Sequence, residues 1–386
     1  HLRVFLAITD TGRLTRAAQQ CNVSQPAVTL ALGKLEDQSG GALFNRNRAG
    51  LDLTPRGQVF ESRIRRAIDR LDATLIDIAP RLRLTATVAQ LRALIAMVQA
   101  QNFTLAADTI GIAQPTLHRA ITQLEREAGR HLFERTSFGA VPTRACRNLA
   151  QVAQLSLAEI AQVEADLAEF DGREAGKIVI GALPLSRSAV LPQALAQFRA
   201  VRPKLQVTVV EGSYADMLSG LRRGELDFIM GALRADLPVS DVVQEPLFED
   251  TLMMLARPGH PLAEVEGIPL DVLVQHPWAV PRPGTPSREQ FDSLFENRSM
   301  AMPDSVLECG SILLMRELLR RSDLLGCISA QQARAEVDNG LLVPLDVGIG
   351  WPRRAIGLTY RADWVPTKAQ SNMLDCVRAA SGEVSL

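Results

Sequence analysis

With 386 residues the chain exceeds one ordinary domain, and about two to four are expected. Apolar residues make up 47%, enough for several cores, but no apolar run approaches the roughly 18 residues of a spanning helix, so no membrane partner is expected. The net charge of −1 alone decides nothing about nucleic acid, yet residues 1–170 carry 20 Lys and Arg against 16 Asp and Glu.

Leu2, Phe5, Leu6 and Ile8 predict an apolar-faced helix that Gly12 ends. Thr15 stands where a cap belongs, before a helix Arg16-Ala17-Ala18-Gln19-Gln20 whose paired alanines allow close crossing. Asn22-Val23 supply a turn, Ser24 caps the next helix, and Pro26 falls in its first turn, where no intrahelical N–H is lost. Val28, Leu32 and Leu35, with Ala31, form its inward stripe, and Gln25, Thr29, Leu30 and Lys34 form the opposite face. This is the helix-turn-helix layout, which places the polar face in the major groove of double-stranded DNA. Leu43-Phe44 and Leu51, Leu53 bracket Arg46-Asn47-Arg48-Ala49-Gly50, a two-stranded wing whose Arg46 and Arg48 suit phosphate or the minor groove. The bland alternative is a generic three-helix domain that uses cap and stripe for packing only.

Phe60, Ile64, Ala67, Ile68, Leu71, Leu75 and Ile78 then mark a long amphipathic helix ending before Pro80. After an eight-residue join from Pro80 to Thr87, the whole head returns at an 89-residue offset without a gap. Leu2-Arg3 recurs as Leu91-Arg92, Ala17-Ala18 as Ala106-Ala107, and Gln25-Pro26 as Gln114-Pro115. Leu35-Glu36 recurs as Leu124-Glu125, Leu43-Phe44 as Leu132-Phe133, Arg46 as Arg135 and Thr54 as Thr143. The copy departs on its DNA side, with Ala113 in place of the capping Ser24 and His118-Arg119 in place of Thr29-Leu30. Its wing, Thr136-Ser137-Phe138-Gly139, keeps Arg135 but has no counterpart of Arg48. Gln114, Pro115, His118, Arg119 and Arg135 are its DNA-contact candidates. A head that reads no sequence and serves dimer geometry is the alternative. Leu149, Val152, Ile160, Val163, Leu167 and Phe170 mark a second long helix ending near Gly172.

Leu2-Arg3-Val4-Phe5, Thr15-Arg16-Ala17-Ala18, Val23-Ser24-Gln25-Pro26-Ala27-Val28, Leu35-Glu36, Leu43-Phe44-Asn45-Arg46 and Leu53-Thr54-Pro55-Arg56-Gly57 together resemble LysR-type transcriptional regulators. The resemblance implies that Arg119 stands where the family often carries arginine. It also implies one linker helix per chain, paired antiparallel with that of a second chain. Here two such helices lie in one chain, so pairing within the chain is expected, with pairing between chains as the alternative.

From Gly176 strands alternate with helices: Lys177 to Gly181, Leu191 to Phe198, Leu205 to Val210, Met217 to Leu221 and Leu226 to Met230. That alternation implies an α/β unit with a mostly parallel sheet. A second run opens at Leu252, and Ile356 to Tyr360 returns to the first. The resemblance then implies a two-lobed, periplasmic-binding-protein-like effector domain, with Gly224-Glu225-Leu226-Asp227 and His260-Pro261-Leu262 in matching places. The expected fold class is therefore α+β multi-domain. Winged heads are assigned to 1–57 and 87–146 and linker helices to 58–80 and 147–172. The effector domain is assigned to 176–386, with lobe I at about 176–250 and 350–386 and lobe II at about 251–349.

Ligands of such folds sit beyond strand ends and at helix N-termini, where free N–H groups favour anions. Ser186, Arg187 and Ser188 follow the first strand, Thr251 lies at the hinge, Arg282 and Thr285 follow the Trp278 strand, and Ser311 follows the Val306 strand. Hydroxyls with Arg suit a small effector: an aromatic acid, another carboxylate or a sugar-like metabolite. Each segment can equally be a plain helix cap, and Arg187 and Arg282 plain surface charges. No cofactor is expected. The histidines lack metal spacing, and no Ser or Cys sits in a GxSxG-type elbow, which argues against an enzyme. The five cysteines lie far apart without a CxxC pair, and the given sequence does not open on a basic segment followed by an apolar core, so a cytoplasmic site is expected. The expected function is a ligand-responsive regulator of a catabolic operon that self-associates, most simply as a dimer, with RNA polymerase as a further partner. A regulator-derived protein that binds a protein partner is the second reading.

Overall fold

Helix α1 (Leu2–Thr11) stops at Gly12, whose φ of 65° is left-handed, a conformation natural to a residue without a Cβ. Helix α2 (Leu14–Gln20) starts after Arg13 without any side-chain cap, so Thr15 lies inside the first turn rather than capping it. The helix starts early because Leu14 is drawn against the head's core. Helix α3 (Gln25–Ser39) does open on Ser24, whose hydroxyl accepts from the Ala27 N–H at 3.4 Å. Strands β1 (Phe44–Arg46) and β2 (Leu51–Leu53) pair antiparallel, Phe44 opposite Leu53. Val28, Leu32 and Leu35 meet Phe5, Ile8 and Phe44 in one core. The Leu35-Glu36 pair is structural on both counts: Leu35 packs inward, and the Glu36 carboxylate accepts from the N–H groups of Leu43 and Phe44 at 2.9 and 3.4 Å.

Linker helix α4 (Pro55–Ile78) follows, then a single turn α5 (Leu82–Thr85). Helices α6 (Val88–Ala100), α7 (Phe103–Ile110) and α8 (Gln114–Ala128) and strands β3 (Phe133–Thr136) and β4 (Gly139–Pro142) repeat the first head in order. Glu125 repeats the clasp of Glu36, accepting from Leu132 N–H at 2.7 Å and Phe133 N–H at 3.2 Å. Linker helix α9 (Arg144–Phe170) closes this half. Helices α4 and α9 each begin three residues before their expected starts, because Thr54 and Thr143 cap them from the end of the wing.

The linker helices run antiparallel against each other: Phe60 and Ile64 share a core with Val163 and Leu167, and Leu71 and Leu75 share one with Leu149 and Ala153. The join between α4 and the second head is clasped as well. Arg81 donates to the carbonyls of Arg126 and Glu127 at the end of α8, and Leu82 is fully buried.

The structure, a computed structural model, describes residues 1–48, 50–136, 139–188, 190–237, 239–348 and 350–384. Ala49 of the first wing and Ser137 and Phe138 of the second lie outside the described residues. The chain forms two compact units, one built mainly of residues 1–177 and the other mainly of 178–386.

The second unit has two five-stranded sheets. The first has the order β6 (Gln206–Val210), β5 (Lys177–Ala182), β7 (Phe228–Ala232), β14 (Arg354–Arg361), β8 (Val242–Asp250). Helices α10 (Val190–Val201), α11 (Tyr214–Arg222) and α16 (Lys368–Val384) belong to this lobe. The other sheet has the order β11 (Val306–Glu308), β10 (Trp278–Val280), β12 (Leu325–Ser329), β9 (Leu252–Ala256), β13 (Val343–Pro344). Its helices are α12 (Leu270–Val274), α13 (Pro286–Glu296), α14 (Ile312–Arg320) and α15 (Ala330–Asp338). Both sheets are mixed rather than mostly parallel: β14 runs antiparallel to β7 and β8, and β9 antiparallel to β12 and β13. The chain enters β9 and β14 directly as it crosses between lobes, and only a parallel neighbour would need a crossover helix.

Candidate nucleic-acid interface and effector cleft

On α3, Gln25, Pro26, Thr29, Leu30 and Lys34 are all exposed, opposite the buried stripe of Val28, Leu32 and Leu35. Leu30 is 62% exposed, and an uncovered leucine on such a face can meet a thymine methyl. The Ser24 hydroxyl is engaged as the cap, and the Thr29 hydroxyl donates to the Gln25 carbonyl at 3.2 Å. Arg46 and Arg48 are exposed on the wing. Asn47 orders the turn between them, accepting from the Gly50 N–H at 2.7 Å and donating to Asp52.

On α8 the exposed residues Gln114, Pro115, His118 and Arg119 line a shallow depression with Thr122, Gln123 and Arg126. Sequence reasoning missed the last three, although they continue the face of His118 and Arg119 at helical spacing. Ala113 offers no cap. His118 is held from both sides: its ring centroid lies 5.2 Å from that of Phe103, and its Nδ1 lies 3.4 Å from the Thr122 hydroxyl. Arg119 has no acidic partner among the described residues. Arg135 sits in β3, but its side chain lies outside the description.

In the second unit the predicted ligand residues divide. Ser186 lies in a 3-10 turn (Pro184–Arg187), fully buried, and donates to the Leu183 carbonyl at 2.8 Å, so it does not stand at an α-helix start. Arg187 pairs with Glu211, and Ser188 ends the turn, half-buried. Thr285 and Ser311 are N-caps of α13 and α14, accepting from Arg288 and Leu314 N–H at 3.3 Å each. Arg282 is exposed, has no acidic partner among the described residues, and lies against Gly310, where a Cβ would come 3.2 Å from its Nε. Arg282, Thr285 and Ser311 thus share one edge of lobe II, because Thr285 also donates to the Arg282 carbonyl at 2.8 Å.

Thr251 is half-buried at the hinge, and its carbonyl accepts from the Ala330 N–H. The polar centre of that hinge is beside it. Arg354 Nη2 lies 2.9 Å from Asp250, Arg354 Nη1 donates to the Ser287 hydroxyl at 2.5 Å, and Asp250 also accepts from the Gln331 N–H at 3.2 Å. A second bridge between lobes is Arg234, stacked 4.7 Å over the Tyr214 ring and donating to the Gly284 carbonyl at 3.3 Å. Sequence reasoning missed Arg234, Tyr214, Asp250 and Arg354. The one available signal was that Tyr214 is one of only two tyrosines in the chain.

Burial, with Glu125 nearby, pushes the Cys146 thiol up to about 12, and burial moves Cys327 in the same direction. No group of three metal-ligating side chains occurs among the described residues.

A two-lobed unit behind paired helix-turn-helix segments narrows the family, and comparison decides it. Residues 171–382 match the LysR substrate binding domain, and residues 1–58 and 88–147 each match the bacterial regulatory helix-turn-helix protein, lysR family. The chain belongs to the LysR family of transcriptional regulators. Among its relatives is the HTH-type transcriptional regulator GalR of Pseudomonas putida, 33% identical over 380 residues, 98% of this chain and 96% of the relative. That alignment therefore spans both heads. Among solved structures it resembles ArgP from Mycobacterium tuberculosis, with a TM-score of 0.58 and 17% identity over 76% of this chain and 96% of the other. It also resembles full-length LysG of Corynebacterium glutamicum, solved with bound effector Arg, with a TM-score of 0.54 and 21% identity over 77% and 98%. These two likenesses speak for the fold. As a LysR-type protein the chain is a ligand-responsive transcriptional regulator and not an enzyme. It binds DNA through its helix-turn-helix and a small molecule through the substrate domain. No helix among the described residues is long and apolar enough to cross a membrane.

Proposed function

We propose that one chain brings two DNA-reading heads to an operator and couples them to a cleft that senses a small anionic metabolite. The observation that carries this reading is the pair of exposed recognition faces on α3 and α8, joined by linker helices that pack on each other within the chain. The heads are related by a pseudo-two-fold axis and favour an imperfect palindrome, with Gln25, Thr29 and Leu30 reading one half and Gln114, His118 and Arg119 the other. Self-association through the effector unit then gives a dimer with four heads. The ligand is an aromatic acid, another carboxylate or a sugar-like metabolite. Support for the charge comes from exposed Arg282 beside the α13 and α14 N-termini and from Arg234 at the lobe junction. The regulated genes are a catabolic operon, where the protein acts on RNA polymerase.

The test is a gel shift with a salt titration. Gln25→Ala should cost roughly 1–3 kcal/mol on the best site and relax base preference, whereas Arg46→Ala should weaken all sequences alike and lower the salt slope by about 1. Equal losses for Gln25→Ala on specific and random DNA remove the base-reading role. Mass spectrometry of the copurifying ligand names the effector, and a neutral ligand rejects the anionic part. A second reading, in which the second head only sets geometry, draws on the uncapped Ala113. Under it, Arg119→Ala leaves affinity unchanged.

A further inference from the structure

We propose that the two linker helices carry a charge key that closes the two-headed unit on itself, so that its heads are not exchanged with those of a second copy. In the ion pairs between the two helices among the described residues, the cations stand on α4 and the acids on α9 or at its C-cap, Asp171. Arg63, 4% exposed, lies 2.9 Å from Glu159 and 2.6 Å from Asp166. Arg66 Nη2 lies 3.0 Å from the same Glu159, close enough for an ion pair though not aligned as a hydrogen bond. Arg56 pairs with Asp171 and covers the Phe170 ring at 5.4 Å.

The 89-residue repeat states what like-with-like pairing would put in these places. If α9 faced another α9 in the same register, Arg56, Arg63 and Arg66 would be replaced by Ala145, Val152 and Leu155. Glu159, 7% exposed, would then be buried with no cation facing it. If α4 faced another α4, Glu159 would be replaced by Arg70, set against Arg63 and Arg66, with Asp77 the one acid left in place of Asp166. Neither homotypic pair has the partners its buried charges need, and buried charge is tolerated only when paired. Only α4 with α9 satisfies both. The clasped join, with Leu82 buried and Arg81 fixed to the end of α8, holds the α9 of the same chain nearest. The consequence for DNA rests on the two-headed reading above, but the key itself does not.

The test uses full-length chains. One variant carries Arg63→Glu and Arg66→Glu, a second carries Glu159→Arg and Asp166→Arg, and a third carries all four. Each two-residue variant should lower the melting midpoint of the N-terminal unit by several degrees, and the four-residue chain should recover most of it. The decisive arm co-expresses the first two variants under different tags. A closed unit gives no recovery, because each chain meets its own mismatch. Recovery as full as in the four-residue chain would show exchange between chains and overturn the proposal, and so would a four-residue chain that stays unstable. If the two-residue variants do not fold, soluble yield in the same arms gives the same decision. Gel shifts on the wild type test the two-headed reading separately, since a closed unit that fails to bind DNA keeps its key.

Discussion

Arg63→Met isolates the centre of the linker contact. The methionine keeps the stem that packs along α9 but removes the charge from between Glu159 and Asp166. Removing one partner of a buried ion pair costs about 3–5 kcal/mol, because the other is left buried and unpaired. Two features here lower that figure. Glu159 keeps Arg66 at 3.0 Å, and the Asp166 side chain is 19% exposed and reaches water. The expected loss is therefore at the lower end, about 3 kcal/mol. For a unit of this size each kcal/mol moves the midpoint by about 2–4 °C. Calorimetry of the full chain should thus show the N-terminal transition falling by about 6–12 °C with the effector transition unmoved. The loss should change little between low and high salt, since buried charges are poorly screened. The matching control replaces the cluster outright: Arg63→Met with Glu159→Leu and Asp166→Leu should come back close to wild type, as apolar replacements of buried ion pairs commonly do. A loss below about 1 kcal/mol in the single variant, the range of a surface pair, would refute the reasoning. So would a triple variant as unstable as the single one.

Three further outcomes follow from differences between the two heads. Ala113→Ser should give α8 the cap that α3 has, stabilising the second head by about 1 kcal/mol and slowing amide exchange in its first turn; unchanged exchange would mean that the serine does not reach the N–H of the third residue. Gln101 holds the left-handed turn that Gly12 holds in the first head, with φ of 51° against 65°, so Gln101→Gly should stabilise by about 1 kcal/mol in urea unfolding; a loss would assign the glutamine side chain a contact of its own. Cys146, pushed up to about 12 by burial, should resist alkylation at mild alkaline pH while the protein is folded and react promptly in denaturant; fast labelling of native protein would show that the second head opens.

The architecture was legible because the repeat and the periodicities are local signals. Ser24 caps where its spacing predicts, and the stripe of Val28, Leu32 and Leu35 faces inward, whereas the caps at Thr54 and Thr143, which start the linker helices early, went unread. Thr15 misled because cap chemistry is common and the start of α2 is decided by Leu14 packing into the core. The cleft was legible only in outline. Thr285 and Ser311 do stand at helix starts, but their hydroxyls already serve the backbone, and Ser186 is turned into the lobe. Asp250 and Arg354 are 104 residues apart in sequence, and no local pattern announces a pair brought together by two crossings of a hinge.

The two heads share what closes the fold and differ in what faces outward. Glu36 and Glu125 clasp their wings alike, Thr54 and Thr143 cap their linkers alike, and Gly40 and Gly129 end their recognition helices in the same left-handed turn. Capping has changed sides: the first head caps α3 with Ser24 and leaves α2 uncapped at Arg13, whereas the second caps α7 with Asn102 and leaves α8 uncapped at Ala113. One capped helix per helix-turn-helix is kept in each, but in the second the recognition helix is the one that starts without a side-chain cap. In the proposed two-headed reading, an uncapped start gives the backbone around Gln114 and Pro115 more freedom to adapt to a half-site, at some loss of discrimination. Under the proposed charge key and two-headed reading, the two heads arrive together as one firm reader and one adaptable reader. A symmetric pair of identical chains cannot offer that combination, because whatever one head is, the other must be as well.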